Sequence, residues 1–364
     1  MKITIFTQSK RIISCVTAAF VLSCAMCLSL TGCSGTGTST RNTASSDSKD
    51  KKVRIGLLLE TLKEERWVRD KDLFLQRASE LGAEVDVQVA EGSDSVQLQQ
   101  AENLLTKGVD VLVVVPHDGK AAASIVDKAR QQNVPVVAYD RLILNSDVDL
   151  YVSFDNVRVG EMQARYLLER APKGNYLLIC GSPTDNNARL LHQGQMNVLQ
   201  PAVDRGDIKI VGEQWAVNWQ ASEALKHTEN ALTQNNDDIV AVVASADSVS
   251  RGVIQALEAR GLAGKVLVSG QDADIVATRY VAEGKQAMTV YKPIKPLAYA
   301  AAEAAVKLAR KENVATTKTV NNGRLDVPAI LLDPIVVDKA NLESTVIKDG
   351  YQKREDVFQN TGGN

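Results

Sequence analysis

Short apolar runs rich in β-branched residues alternate with amphipathic helical stretches from Val53 onward. This alternation constrains the fold strongly, because strands joined by helices pair in parallel within one sheet. Candidate strands in the first half lie at residues 53–59, 84–89, 109–115, 134–139 and 151–154. Gly82 and Gly108 follow the first two intervening helices, a position that glycine often takes. The pattern predicts an α/β fold built on parallel sheets.

The alternation begins again after Asn156, which indicates a second unit of similar construction. Its candidate strands lie at residues 176–180, 209–211, 239–244, 266–269 and 287–291, followed by a helix at 296–311 and strand material at 325–337. The length of 364 residues also suits two cores, since single cores stop growing at about 250 residues. We predict two similar doubly wound parallel-sheet lobes joined by a three-segment hinge. The boundaries are 53–156 plus 293–327 for the first lobe, 157–292 plus 328–345 for the second, and 346–364 for a frayed tail.

The first residues have the features of a secretory leader. Lys2, Lys10 and Arg11 precede an apolar stretch that leads into Leu30-Thr31-Gly32-Cys33. The Leu-x-Gly-Cys ending resembles a bacterial lipobox, so we expect residues 1–32 to be a lipoprotein signal peptide and Cys33 to carry the lipid. A transmembrane anchor is the alternative, because the apolar stretch nearly reaches spanning length.

Only Cys33 and Cys180 remain once the leader is removed, so no disulfide framework is available. Cys180 ends an apolar strand and is expected to be a small core residue. Residues 33–52 are polar, and we expect them to form a disordered tether. The chain should therefore be exported to the cell envelope or periplasm and held at a membrane through Cys33.

Composition and motifs argue against nucleic-acid binding and catalysis. The formal net charge of −2 gives no electrostatic reason to bind nucleic acid. His117, His192 and His227 show no metal-ligand spacing, and nucleophile-elbow, Walker A and dinucleotide-binding motifs are absent from the sequence. Asp140 and Asp272 could form a glycosidase pair, although each suits recognition equally well. We predict no enzyme activity, no cofactor and no metal.

Polar side chains gather where several candidate strands end. Parallel strands bring their carboxyl ends to one edge of a sheet, where open α/β sheets bind ligands. Adjacent surface charges, turn formers and a snorkelling lysine are the alternative interpretations. The residues concerned are Asp140, Arg141, Asp185, Asn187, Asp272 and Lys292.

The three tryptophans lie close to these strand ends. Trp67 follows Arg66 directly after the first strand, whereas Trp215 and Trp219 flank the end of a later strand. A flat aromatic ring suits the apolar face of a sugar, but a tryptophan can equally fill a gap in a core. We expect Trp67 and Trp219 to lie in a binding site and Trp215 to serve packing.

Ordered motifs over residues 53–342 carry a family resemblance. They include Glu65-Arg66-Trp67, Ala138-Tyr139-Asp140-Arg141, Asp185-Asn186-Asn187, Gly270-Gln271-Asp272 and Val290-Tyr291-Lys292-Pro293. With them the chain resembles the periplasmic sugar-binding proteins of the type I, ribose-binding-like fold, and among these the D-xylose-binding members of ABC transporters. The resemblance implies that Trp67 and Trp219 sandwich a sugar ring. It also implies that the sugar is hydrogen-bonded by Arg66, Asp140, Arg141, Asp185, Asn187, Asp272 and Lys292.

The chain departs from the family pattern at Ala246, where an Asn is expected, so the identity of the aldose stays open. The resemblance implies a monomeric substrate-binding lipoprotein that closes on a monosaccharide, D-xylose or a related aldose, and delivers it to an ABC permease. A sugar-sensing receptor subunit that signals to a chemoreceptor or sensor kinase is the alternative. A transcription repressor core is disfavoured, because no basic helix-turn-helix precedes Val53.

Overall fold

The computed structural model of the protein describes residues 52–359. The predicted signal peptide, Cys33, the tether up to residue 51 and the last five residues lie outside this part of the chain. The described residues belong to one structural unit. None of their helices combines the length and the apolar character needed to cross a membrane.

The strands alternate with helices for most of the chain, as the sequence predicts. The strands are β1 (Arg54–Leu59), β2 (Glu84–Val89), β3 (Val111–Val114), β4 (Val136–Tyr139), β5 (Leu150–Phe154), β6 (Gly174–Cys180), β7 (Ile208–Trp215), β8 (Ala241–Ala244), β9 (Leu267–Val268), β10 (Thr289–Tyr291), β11 (Lys318–Asn321), β12 (Asp326–Leu332) and β13 (Ile335–Val337). The helices are α1 (Glu65–Glu80), α2 (Asp94–Thr106), α3 (Ala123–Gln131), α4 (Asn156–Arg170), α5 (Asn186–Asp204), α6 (Ala221–Gln234), α7 (Asp247–Ala259), α8 (Ile275–Glu283), α9 (Ile294–Ala309) and α10 (Arg354–Val357).

Two separate sheets organise these elements. The first has the strand order β11-β12-β5-β4-β3-β1-β2 and is parallel except for β11, which runs antiparallel to β12. The second has the order β7-β6-β8-β9 and is parallel throughout, and β10 and β13 form a short antiparallel ribbon beside it. We call the first sheet with α1, α2, α3 and α9 the first lobe, and the second sheet with the ribbon and α4 to α8 the second lobe. The predicted α/β class is confirmed.

Burial explains why the strands carry continuous apolar runs. All four residues of β3 and of β4 are buried, since helices cover both faces of a parallel sheet. Helix α1 instead presents one apolar stripe, in which Trp67, Phe74 and Ala78 are buried at helical spacing. Helix α1 follows β1 in the chain, so its first turn lies near the carboxyl ends of the strands of the first lobe.

The chain passes between the lobes at three places: after β5, after β10 and after β12. The last crossing corrects one predicted boundary. Residues 328–332 were assigned to the second lobe, but they continue β12, which pairs in parallel with β5 of the first sheet. Pro328 is accommodated opposite Thr319 within the sheet, and the chain leaves at Asp333 and Pro334 instead. The third crossing therefore follows the end of β12 and does not coincide with Pro328.

The predicted frayed tail is also wrong for residues 346–359. Val346, Tyr351 and Val357 are buried in an apolar cluster with Tyr291 and Ala273. The guanidinium of Arg69 lies 4.3 Å from the centre of the Tyr351 ring. The polar composition of this segment conceals three buried anchors, which hold it against α1 and the second lobe.

Candidate functional site

All nine residues predicted as ligand contacts line one pocket between the lobes. Arg66 and Trp67 stand in the first turn of α1, Asp140 and Arg141 follow β4, and Lys292 follows β10. The remaining four, from the second lobe, are Asp185, Asn187, Trp219 and Asp272. The empty space between them, including its opening to solvent, is about 370 Å³. The strand-end pattern therefore located one contiguous site.

Arg66 is the electrostatic centre of the pocket. Its Nη2 donates to Asp140 at 2.8 Å, its Nε to Asp70 at 3.2 Å and its Nη1 to Asp272 at 3.2 Å. Asp272 also accepts from Lys292, whose Nζ lies 3.0 Å from its Oδ1. Because Asp272 belongs to the second lobe, the pair with Arg66 is a direct bond between the lobes.

Arg141 organises the opposite part of the pocket. Its Nε lies 2.8 Å from Asp185 and its Nη1 lies 3.0 Å from Glu60. Asp185 also caps α5 by accepting from the backbone N–H of Asn187 at 2.8 Å. Asp185 thus has a local structural role and also lines the pocket. This carboxylate ties a guanidinium of the first lobe to the helix of the second.

Two tryptophans form apolar walls within this polar ring. Trp67 is 3% exposed and Trp219 is 8% exposed, and each also belongs to the core of its lobe. The Nε1 of Trp219 donates to Asp185 at 3.1 Å, and the Arg66 guanidinium lies 4.4 Å from the centre of the Trp67 ring. Trp215 does not line the pocket and packs on the second lobe's core, as expected.

Three pocket residues other than glycine have left-handed backbone conformations: Asp140 at φ 60°, Trp219 at φ 56° and Asp272 at φ 96°. Such conformations are costly for residues with a Cβ and persist where surrounding contacts determine them. For Asp140 those contacts include its carbonyl, which accepts from Ser153 Oγ at 2.6 Å and Asn187 Nδ2 at 3.0 Å. The site is thus built by hydrogen bonds that hold its carboxylates in fixed directions.

The carboxyl groups of the pocket differ in pKa. Burial raises the pKa of Asp140, but Arg66, Lys292 and Arg141 together lower it by more, so it lies below its ordinary value. For Asp185, burial outweighs the effect of Arg141, and the pKa is raised. Burial likewise raises the pKa of Asp70 to about 6, against the opposing effect of Arg66. Asp140 is therefore an anionic acceptor at neutral pH.

The sequence interpretation missed several residues at the site. Glu64, Ser248 and Gln271 line the pocket, and Asp70 and Glu60 support it from behind. The spacing of Arg66 and Asp70, four residues apart on a helix, was an available signal for an ion pair. No comparable signal marked Ser248.

The lack of a side chain at Gly270 has a steric reason. A Cβ at this position would lie 2.0 Å from Asp247 Oδ1 and 2.4 Å from Gln286 Nε2. The missing side chain thus makes room for the buried Asp247, which accepts from Gln286, Thr289 and the backbone N–H of Asp274. Gly270 thus allows Asp247 to hold the loop that carries Asp272.

One group of metal-ligand types lies outside the pocket. Single ligand atoms of Cys180, His192 and Glu213 all lie within 4.8 Å of one another. His192 Nε2 is 3.1 Å from Glu213, which is an ordinary ion-pair distance. Burial, and next the charge of Glu213, raise the pKa of the Cys180 thiol, so the thiolate that a metal would need is disfavoured. This geometry fits a buried core cysteine beside a histidine–carboxylate pair.

The pocket combines fixed carboxylates, guanidinium groups, an amide and two aromatic faces. Together they can donate to and accept from many hydroxyl groups while covering an apolar ring face. Cations and hydrogen bonds hold the carboxylates of the pocket in place, and acceptors fixed in this way suit the recognition of a ligand. This is the chemistry expected of a site for a small polyhydroxylated molecule.

Comparisons with known proteins agree with that chemistry. Residues 55–313 match a family described as periplasmic binding protein domain. The chain is 50% identical over 314 residues to the D-xylose-binding periplasmic protein of Haemophilus influenzae, covering 86% of this chain and 95% of that protein. The D-xylose-binding periplasmic protein of Escherichia coli is 51% identical over 307 residues, covering 84% and 93%.

Solved structures extend the comparison to the fold. A carbohydrate transporter solute binding protein from Chloroflexus aurantiacus, in complex with D-glucose, matches with a TM-score of 0.80 at 32% sequence identity. The match covers 84% of this chain and 98% of that one. The family resemblance predicted from the motifs is confirmed.

Proposed function

Because the chain belongs to the periplasmic binding protein family, we propose that it binds a monosaccharide, D-xylose or a related aldose, between its lobes and delivers it to an ABC permease. The observation that carries the proposal is the convergence of nine polar and aromatic side chains from both lobes on one pocket. The ligand class is supported by the named relatives that bind D-xylose. The proposed activity is binding, with no covalent step.

In this proposal the sugar ring lies between Trp67 and Trp219, and its hydroxyls bond to the charged groups around it. Hydrogen bonds to ionised groups are about twice as strong as those between neutral groups. Asp140 supplies acceptors from the first lobe, and Asp272 and Asn187 supply acceptors and donors from the second. A ligand held by both lobes favours the closed state over an open one, because only the closed state offers all of these bonds.

The same proposal places the protein outside the cytoplasm as a monomer. We infer export to the cell envelope, as the periplasmic relatives suggest, and attachment to a membrane through a lipid on Cys33. The polar residues 33–52 would then hold the two lobes away from the lipid surface. A closed, sugar-loaded form is the state that a permease would recognise.

A screen of aldoses tests the ligand. A sugar present at 100 times its Kd should stabilise the protein by about 2.7 kcal/mol, so differential scanning fluorimetry should show a rise in Tm of several degrees with at least one pentose or hexose. The open-chain polyol xylitol serves as the control, since it offers hydroxyls without a rigid ring face. The absence of a shift with every aldose would refute the proposal.

Metabolic labelling tests the anchor. In a bacterial host fed radiolabelled palmitate, the wild-type chain should carry label and sediment with membranes. Cys33→Ala should lose the label and appear in the soluble envelope fraction. If Cys33→Ala remains in the membrane fraction, an uncleaved transmembrane anchor replaces the lipid as the explanation.

A further inference from the structure

Glu64 lines the pocket and has a carboxylate oxygen without a hydrogen-bond partner among residues 52–359. It immediately precedes α1, and its side chain makes no capping hydrogen bond to that helix. Its Oε2 is buried and has no hydrogen-bond partner among residues 52–359. A buried acceptor without a donor costs free energy that a hydrogen bond would recover. Oε2 of Glu64 can therefore accept a hydrogen bond from a donor that does not belong to the described part of the chain.

The other carboxylates of the pocket differ from Glu64 in this respect. Asp140 accepts from Arg66, Asp185 from Arg141 and Trp219, and Asp272 from Arg66 and Lys292. Glu64 instead lies in the field of other acids: burial, and next the charge of Glu60, raise its pKa. Oε2 of Glu64 therefore does not take part in an ion pair with a described residue of the pocket.

Gln271 provides a second, independent acceptor from the opposite lobe. Its side chain is 4% exposed, lines the same pocket, and has an Oε1 without a hydrogen-bond partner among the described residues. Gln271 lies between Gly270 and Asp272, on the loop that Asp247 holds in place. Two residues that line one pocket from its two sides thus each have a buried acceptor oxygen with no partner among the described residues.

Ala246 has a smaller side chain than the asparagine of the family pattern. It lines the pocket with Glu64, Ser248 and Gln271, and its methyl group offers no hydrogen bond where the family pattern has an amide. The hydroxyls of a pentose ring already have partners in the seven polar residues assigned to the sugar. An additional acceptor together with additional space suits a ring with one more donor-bearing substituent.

We propose that Glu64 is a specificity-determining residue that accepts a hydrogen bond from the hydroxymethyl group of an aldohexose, with Ala246 providing the space for that group. The proposal rests on the proposed function, because it names the sugar class of the same site. Gln271 adds a second acceptor for the same end of the ring. The pocket accordingly prefers a hexose to the pentose with the same ring stereochemistry.

Isothermal titration calorimetry with three matched sugars tests this assignment. D-glucose carries the hydroxymethyl group, 6-deoxy-D-glucose carries a methyl group in its place, and D-xylose carries a hydrogen. Since a hydrogen bond to a charged group is worth about tenfold or more in affinity, the wild-type protein should bind D-glucose at least tenfold more tightly than the other two. Glu64→Ala should remove this preference.

Two further variants make the result specific. Ala246→Asn should fill the space and weaken D-glucose binding more than D-xylose binding. Glu91→Ala removes an exposed carboxylate that lines the neighbouring opening but not the pocket, and it should keep the wild-type preference. A thermal melt of each variant checks that it is folded.

Equal affinity for D-glucose and 6-deoxy-D-glucose, or a preference that survives Glu64→Ala, would overturn the role of Glu64. Tighter binding of D-xylose than of D-glucose would overturn the hexose assignment and leave the proposed function standing. If no aldose binds, the proposed function fails as well, so the two failures are distinct.

Discussion

Replacing Arg66 with methionine should lower the free energy of unfolding by about 3–5 kcal/mol and remove sugar binding. Arg66 is 5% exposed and holds three carboxylates, two of which, Asp70 and Asp140, are almost completely buried. Methionine matches much of its length but removes the guanidinium that pairs with both buried carboxylates. Urea denaturation measures the first effect and calorimetry with the preferred sugar measures the second.

The loss of stability in Arg66→Met should depend on pH, because the same carboxyl groups titrate. The pKa of Asp70 is already raised to about 6 by burial against the effect of Arg66, and removing the guanidinium raises it further. A carboxyl group whose pKa is higher in the folded than in the unfolded state destabilises the fold while it is ionised. The protein regains this stability as the group takes up a proton at lower pH. The difference in free energy of unfolding between the wild type and Arg66→Met should therefore become smaller as the pH falls from 8 to 5.

Arg77→Met is the matched control on the same helix. Arg77 pairs with Glu80 and Glu303 at the surface, where solvent screens ion pairs and they contribute little to stability. This variant should bind sugar like the wild type. If Arg66→Met is no less stable than Arg77→Met, or still binds the sugar, then Arg66 does not organise the pocket.

Local patterns in the sequence sufficed to find the strand ends of the site. The run Val136-Val137-Ala138 is fully buried in β4, and the polar pair after it lies in the pocket because parallel strands share a carboxyl edge. Asp140 and Arg141 could be predicted for this reason alone. Their placement required only the order of apolar and polar residues.

Other features depend on packing that the sequence pattern does not contain. The proposed roles of Glu64 and Gln271 rest on one oxygen of each that has no hydrogen-bond partner among residues 52–359, and a missing partner is a property of the folded neighbourhood. The buried anchors Val346 and Tyr351 were missed because the segment around them is mostly polar. The crossing predicted at residue 328 is misplaced because a proline can occupy a strand at a position whose N–H is not needed.

Gly181 illustrates how a residue without a side chain shapes the pocket. A Cβ at this position would lie 2.1 Å from the Trp219 ring, whose Nε1 is held by Asp185 at 3.1 Å. The backbone of Gly181 does not adopt a left-handed conformation, so the requirement for glycine is steric. The aromatic wall of the second lobe can stand where it does only because residue 181 lacks a side chain.

Gly181→Ala should consequently weaken sugar binding by about 10- to 100-fold, since displacing Trp219 forfeits most of the contact that a large buried side chain provides. Overpacking should also lower the free energy of unfolding by about 1–3 kcal/mol. Calorimetry and urea denaturation measure these two effects separately. Gly206→Ala is the control, because its φ of 75° makes alanine unfavourable while no atom lies within 4 Å of the added Cβ.

The control should lose stability and keep its affinity, which separates strain from damage to the pocket. Trp219→Ala should show the same loss of affinity as Gly181→Ala, and the double variant should show little further loss, because both changes remove one contact. Additive losses would mean that Gly181 acts on the sugar independently of Trp219. Unchanged affinity in Gly181→Ala would mean that the ring does not contact the ligand, and the sandwich of Trp67 and Trp219 would have to be abandoned.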